Sequence, residues 1–452
     1  MQYSSQENEQ EMINNSYNPR QEILISRNYR GAIYANDGVV LAETILDEEQ
    51  TEKRVYPFNN LFAHIVGYST KGRMGVEALA NYYLINTSTS LTNKVANDIA
   101  GVKNPGDNVY TTLDVELQQV ADSQLGIYKG AVVVTEVSTG KILVLLSQPD
   151  FDPNEISEIW DSLLEDESSS ILLNRATQGL YPPGSTFKVI TALEYIRENP
   201  DTYQNYSFQC PGYLIRDGRR INCYHGMSHG WVNLQNSLVN SCNSSFANLS
   251  LGLDWDSYNK TLDGLLFNNS LPLTLPYSKS STNRGEMSTD EKMQTSFGQG
   301  KTLMTPMHLN MITAAIANGG VMMKPYVVDR VVNDEGNLVK SFSPDAYGSV
   351  MTAEEASILT EMMTAVVKGG GAGDLNSVSY SVAGKTGSAE FTDEIKGESH
   401  AWFTGFAPAE NPEICVTVIM EGGGGGGVYA VPVARRIFDA YFKKTDRAGG
   451  EY

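Results

Sequence analysis

Apolar positions recur along this chain with two different periods, and each change of period marks an element. Residues 27–46 alternate apolar and polar around Asn36-Asp37-Gly38, the pattern of a β-hairpin with its turn at those residues. Residues 57–108 carry the glycine-containing apolar segments FAHIVGY and GVEALANYYL and end in Lys103-Asn104-Pro105-Gly106-Asp107. That Pro/Gly loop predicts a boundary between a first unit, 1–108, and a second, 109–452. LDVELQQVADSQL then has helical spacing, with Thr112 or Asp114 near its start. GAVVVTEV and KILVLLSQ read as strands around Ser138-Thr139-Gly140, whereas 155–172 is acidic and reads as an exposed amphipathic segment with a solvated face. Pro182-Pro183-Gly184 reads as a loop, and Ser185 onward (TFKVITALEYI) as a helix. SYSVAGKTG, HAWFTGFAPA and EICVTVIM predict three consecutive antiparallel strands, closed by a helix, VYAVPVARRIFDAYFKK, that packs on the sheet. Six glycines, 422–427, join the last strand to that helix and read as a flexible connector.

Composition narrows the function classes. A chain of 452 residues can bury a large core and hold two or more domains. Its hydrophobic fraction of 41% and mean hydropathy of −0.27 suit a globular protein. A net charge of −20 argues against nucleic acid or an anionic lipid surface as a broad electrostatic partner. No run approaches the length of a membrane span, and residues 1–20 are too polar for a signal peptide. Four cysteines do not make a disulfide-dense scaffold; Cys415 reads as a small core residue and Cys242 as one packed behind its motif.

Three short motifs carry the chemistry: Ser185-Thr186-Phe187-Lys188, Ser241-Cys242-Asn243 and Lys385-Thr386-Gly387. Each alone is weak; together and in this order they indicate an acyl-serine site. A serine hydroxyl attacks an amide poorly until a base removes its proton. Positions i and i+3 share a helix face, so Lys188 lies beside Ser185. A lysine serves as base when burial and a second cation lower its pKa. Lys385 can be that cation, and it also offers positive charge to a substrate carboxylate. Ser185 at a helix start gains free backbone N–H groups, one of which can serve an oxyanion hole.

YPPGSTFK, SCN and GKTGSAE, followed by HAWFTGFAP, resemble the class B (monofunctional) penicillin-binding protein family of peptidoglycan D,D-transpeptidases. GAVVVTEVSTGKILVLLSQPDFDPN, FGQG and AAIANGG are similar too, and RNYRGAIYANDGVVLAET matches the start of the extracellular part of such enzymes. The resemblance implies an α+β fold. A serine transpeptidase/β-lactamase-like domain (109–452), with an antiparallel five-stranded sheet flanked by helices and a helical subdomain, follows a small N-terminal pedestal (1–108). The pedestal is too short for the large dimerisation-type insert of bigger relatives, and no glycosyltransferase domain is evident.

The resemblance implies that Ser185 attacks the D-Ala-D-Ala bond of a stem peptide, with Lys188 as its base. Ser241 would relay a proton to the leaving amine and Asn243 would hold the substrate amide. Lys385 and Thr386 would bind the terminal carboxylate, Gly387 would admit the substrate backbone, and the Ser388 N–H would complete the oxyanion hole with that of Ser185. Gly298-Gln299-Gly300 reads as architectural. β-Lactams would acylate Ser185. The implied setting is the extracellular face of the cytoplasmic membrane, reached through an N-terminal anchor absent from this chain, with a membrane glycosyltransferase as partner and no nucleic acid. The competing functions are a β-lactam sensor or non-turnover divisome scaffold, a D,D-carboxypeptidase and a β-lactamase. The last lacks its E-x-x-L-N loop between 244 and 300, and Asn243 stands where one class has an apolar residue.

One constellation lies outside these motifs. Cys210, Cys223, His225 and His229, with Asp217 between the cysteines, have a spacing suited to tetrahedral zinc. A Cys210–Cys223 disulfide and two packed thiols remain open beside it. Catalysis itself requires no cofactor.

Overall fold

The computed structural model describes residues 19–48, 51–165, 170–390 and 399–449. The expected polar leader up to residue 18, and residues 166–169 of the acidic segment, lie outside the described residues. The strands of the two large sheets are, in chain order, β1 (Ile33–Tyr34), β2 (Val40–Leu46), β3 (Glu52–Val55), β4 (Asn108–Thr111), β5 (Gly130–Glu136), β6 (Ile142–Gln148), β7 (Val328–Val332), β8 (Leu338–Ser341), β9 (Ala383–Glu390), β10 (Ser399–Ala407) and β11 (Ile414–Met420). One sheet has six strands in the order β8-β7-β4-β1-β2-β3, and the other five in the order β9-β10-β11-β5-β6. The fold is thus the expected α+β type with a five-stranded antiparallel sheet.

The chain divides into two compact units, the first made of 1–119, 141–173 and 326–344, the second of 120–140, 174–325 and 345–452. In the first, the expected hairpin forms from β1 and β2, closed by the Ala35 N–H donating to Val39 O. Strand β4 pairs with β1 in parallel and with β7 antiparallel, so the six-stranded sheet incorporates chain from more than two hundred residues downstream. The helix Val115–Leu125 starts where Asp114 Oδ1 accepts from Leu117 N–H, the cap its sequence offered. The helix Ile156–Glu165 is less solvated than its acidity suggests. Ile156 is buried, and Ile159, Trp160 and Leu163 pack against Ala63, Tyr68 and Phe151.

The second unit is built on β9, β10, β11 and β5. The apolar runs of β5 and β11 are nearly continuous because helices cover the sheet; every residue of β11 is buried. Six helices position its chemistry: α1 (Lys188–Glu198), α2 (Leu234–Val239), α3 (Asn243–Ser250), α4 (Pro306–Ala317), α5 (Ala353–Gly369) and α6 (Gly426–Gly449). Helix α4 meets the sheet through a polar seam in which Asn310 accepts from Thr135 at 2.7 Å, and the Thr313, Thr404 and Thr417 hydroxyls follow at 2.8 Å spacings. Every hydroxyl in that seam has a partner, as burial requires. Helix α6 packs on the strands as expected, and Pro432 lies inside it.

Candidate active site

The segment read as a helix from Ser185 begins as a tight 3₁₀ turn, Gly184–Phe187, and becomes α-helical at Lys188. The tighter winding follows the Pro-Pro-Gly loop and is braced from outside: the Gly184 N–H donates to Gly298 O at 3.0 Å, and the Trp402 indole N–H donates to Pro182 O at 3.0 Å. Gly298 therefore acts architecturally, as its motif suggested. Ser185 is half-buried at this turn, while Lys188 has no exposed surface.

Ser241 and Asn243 reach the same point from the junction of α2 and α3. Cys242 caps α3, its sulfur accepting from the Ser245 N–H. Ser241 sits before the cap at φ +50, a left-handed conformation that costs a non-glycine residue roughly 1 kcal/mol or more. That turn aims the Ser241 carbonyl, the Ser241 hydroxyl and the Asn243 amide at one amine. The Lys188 ammonium lies 3.0 Å from Ser185 Oγ, 2.7 Å from Ser241 O, 3.3 Å from Ser241 Oγ and 2.6 Å from Asn243 Oδ1. The Asn243 Nδ2 donates to Asn222 O at 3.0 Å, which fixes its amide orientation.

The third motif lies on β9, whose register places Lys385 opposite Thr404, Thr386 opposite Phe403 and Gly387 opposite Trp402. Lys385 is 1% exposed; its Nζ donates to Ser241 Oγ at 3.1 Å and to Thr386 O at 2.9 Å. Ser241 Oγ is thus the hinge between two lysines. Burial lowers the Lys188 pKa from 10.5 to about 7. Burial also takes Lys385 well below its ordinary value, and the Lys188 charge adds to that. The dominant cause for the base is therefore desolvation, with the repulsion between the two amines falling on Lys385. A neutral amine 3.0 Å from a hydroxyl can take its proton, and the two-lysine bridge through Ser241 offers that proton a route onward.

The structure brings together Ser185, Lys188, Ser241, Asn243 and Lys385, with Thr386, Gly387 and Ser388 along the adjoining strand. Sequence reasoning missed the ring walls of the base: the Phe246 and Phe297 rings lie 5.7 and 5.9 Å from Lys188 Nζ. They exclude water and supply cation–π contact when the amine is charged. The FGQG motif contained the signal for Phe297.

The cysteine and histidine constellation assembles differently from its sequence spacing. The Cys210, Cys223, His229 and Cys242 donor atoms all lie within 4.8 Å of one another. Cys210 Sγ is 3.6 Å from Cys223 Sγ and 3.4 Å from His229 Nδ1, and Cys223 Sγ is 3.7 Å from Cys242 Sγ. All four cysteines are free thiols. Asp217 and His225 stand apart: the Asp217 carboxylate accepts from the Thr289 hydroxyl, and His225, in a left-handed turn at φ +51, packs its ring on Tyr224. Cys242 takes the place they were expected to fill, because strand pairing of Phe208–Cys210 with Gly230–Val232 carries the ribbon over the α2–α3 junction. A hydrogen bond from the Cys242 thiol lowers the Cys223 pKa below the ordinary thiol value, against the effect of burial.

Residues 130–439 match the penicillin binding protein transpeptidase domain, and residues 30–109 match the penicillin binding protein A dimerisation domain. The chain is 29% identical to peptidoglycan D,D-transpeptidase PbpA of Mycolicibacterium smegmatis, covering 94% of this chain and 92% of that protein. It is 30% identical to PbpA of Mycobacterium tuberculosis, covering 93% and 91% respectively. The penicillin G acyl-enzyme complex of penicillin-binding protein A from M. tuberculosis superposes with a TM-score of 0.83 at 28% identity, covering 92% of this chain and 100% of that one.

Proposed function

Because this chain belongs to the penicillin-binding protein transpeptidase family, we propose that it is a peptidoglycan D,D-transpeptidase working through an acyl-Ser185 intermediate and inhibited by β-lactams. The observation that carries this reading is the single buried amine of Lys188, bonded at once to Ser185 Oγ, Ser241 Oγ and Asn243 Oδ1. Neutral Lys188 accepts the Ser185 proton as Oγ attacks the carbonyl carbon of the D-Ala-D-Ala amide. The developing oxyanion is received by the Ser185 and Ser388 N–H groups. As the C–N bond breaks, the proton passes through Ser241 to the leaving nitrogen, and D-Ala departs. An amine of a neighbouring stem peptide then attacks the ester carbonyl. Its proton passes through the Lys188–Ser241 pair to Ser185 Oγ as the acyl C–O bond breaks, Ser185 is released as a hydroxyl, and the cross-link is complete. Lys385 and Thr386 hold the terminal carboxylate, and Asn243 the stem amide.

Intact-protein mass spectrometry with benzylpenicillin, followed over hours, tests this. The expected result is a persistent one-to-one adduct that Ser185→Ala lacks. Rapid adduct decay with drug hydrolysis would make the protein a β-lactamase instead.

The membrane setting and a membrane glycosyltransferase partner belong to the same reading. Among the described residues no helix is long and apolar enough to cross a membrane. The Cys210, Cys223, His229 and Cys242 set fits a structural zinc ion: bonds of about 2.3 Å give tetrahedral edges of about 3.8 Å, close to the sulfur spacings seen. Bound there, the ion would clamp the ribbon to the residue between Ser241 and Asn243 and take no part in the chemistry. Native mass spectrometry should show one zinc per chain, lost on strong chelation together with thermal stability. A zinc-free protein that melts identically with and without chelator would leave the three cysteines as packed thiols beside His229.

A further inference from the structure

The run of six glycines joins β11 to α6 as a connector, but its last two residues, the first of α6, are packed against the backbone around the active-site strand. A methyl carbon at Gly426 would meet Gly387 O and Trp402 O closer than real contacts allow, with Gly387 N at 3.1 Å. One at Gly427 would likewise overlap Gly371 O, while one at Gly371 would lie 2.8 Å from the Thr386 hydroxyl oxygen. The other side of the strand has no slack either. From Gly387 a methyl would press on Pro183 O and the Thr186 methyl, both at 3.1 Å, and these flank the nucleophile. The strand peptide is therefore clasped between the turn that carries Ser185 and the backbone of α6. The Gly426 N–H also donates to Ser388 Oγ at 3.4 Å, one residue along.

We infer that Gly426 and Gly427 are positioning residues: Gly426 sets the Gly387-Ser388 peptides against Ser185, and Gly427, through Gly371, sets the Thr386 hydroxyl. Any side chain at 426 must drive the strand into the nucleophile turn or lift α6 from the sheet. Either movement changes the distance between the oxyanion donors and the reacting carbon. A displacement of about 1 Å at such a point costs on the order of 10²-fold in rate. The surrounding glycines are not equivalent. At Gly425 an added methyl meets only the Val428 side chain at 3.9 Å, ordinary contact. Bare flexibility would make the run uniformly tolerant, whereas packing makes adjacent positions differ.

The inference rests on Ser185 being the acylated residue, and the experiment separates the two. Stopped-flow acylation by a chromogenic cephalosporin resolves the reversible dissociation constant from the acylation rate constant in wild type, Gly425→Ala and Gly426→Ala, with melting temperatures measured alongside. Gly425→Ala should stay within twofold of wild type. Gly426→Ala should acylate at least tenfold more slowly, with its dissociation constant little changed and its melting temperature lowered by the displaced backbone while it remains folded. Wild-type acylation by a folded Gly426→Ala, or equal slowing in Gly425→Ala, overturns the inference while leaving Ser185 in place; a wild type that never acylates removes the Ser185 assignment itself. If Gly426→Ala does not fold, Gly371→Ala decides, because its methyl touches chiefly the Thr386 hydroxyl. It should weaken reversible binding at least fivefold at a near-normal rate constant, and unchanged binding would overturn the inference.

Discussion

Lys188 is asked to be a base at physiological pH, and its surroundings decide whether it can. A lysine in water keeps its proton to 10.5; here burial removes the stabilisation of the charged form and brings it to about 7. The nearby Cys242 and Cys223 sulfurs work the other way by favouring the charged form, while Ser241 O and Asn243 Oδ1 accept from the amine and hold it in place. The sign of the pH dependence follows. Acylation should rise as Lys188 loses its proton, with a midpoint near pH 7, in the rate constant measured against pH with a neutral ester substrate. A flat profile from pH 6 to 8.5 would mean that another group is the base. Lys188→Arg, which stays charged at every accessible pH, should lose at least 10³-fold and show no such rise. The same shift acts on stability. Between about 7 and 10.5 the unfolded chain holds a proton that the folded chain has released, so stability from this group grows with pH across that window.

At the level of elements, the α2–α3 junction shows where strain is kept. Ser241 at φ +50 is the residue through which both lysines are connected, and a glycine would adopt that backbone more easily. Ser241→Gly should therefore melt at or above the wild-type temperature yet acylate about 10²–10⁴-fold more slowly, the range of one proton-transfer group. A variant that melts several degrees lower would show that the hydroxyl, not the backbone, holds the junction. What the sequence revealed follows the same division. Ser185 and Lys188 are a local pair, and their spacing placed them correctly. Apolar runs such as ICVTVIM announced the sheet to which the strand carrying Lys385 belongs. Cys242 was read only as packing because its partners, Cys210 and Cys223, reach it through ribbon pairing, which spacing does not express. The glycine run was read as a linker because composition reports what a segment can do in isolation, not what backbone it meets.

The chain as a whole carries a net charge of −20, yet in the first unit one carboxylate is fully buried between two guanidiniums. Glu77 has no exposed surface and accepts from the Arg30 Nε at 2.5 Å, the Arg54 Nε at 2.7 Å and the Tyr56 hydroxyl at 3.2 Å. Arg30 also donates to Asn81 Oδ1 and Glu77 O, while Arg54 reaches Gly31 O, so the cluster ties the first strands to the helical segment around residue 77. Burial alone would raise the Glu77 pKa; the two guanidiniums outweigh it and the carboxyl titrates below 4.5. Removing one charge of such a group leaves the others buried and unpaired, a cost of about 3–5 kcal/mol. Glu77→Gln, which keeps the volume, should lose that much in urea denaturation at pH 7. A group with a depressed folded pKa contributes fully above its unfolded value and loses the contribution as pH falls through the folded one. The gap between wild type and Glu77→Gln should accordingly narrow as pH drops below about 4.5. A gap that stays constant down to pH 3 would show that packing of the side chain, and not its charge, is what the cluster supplies.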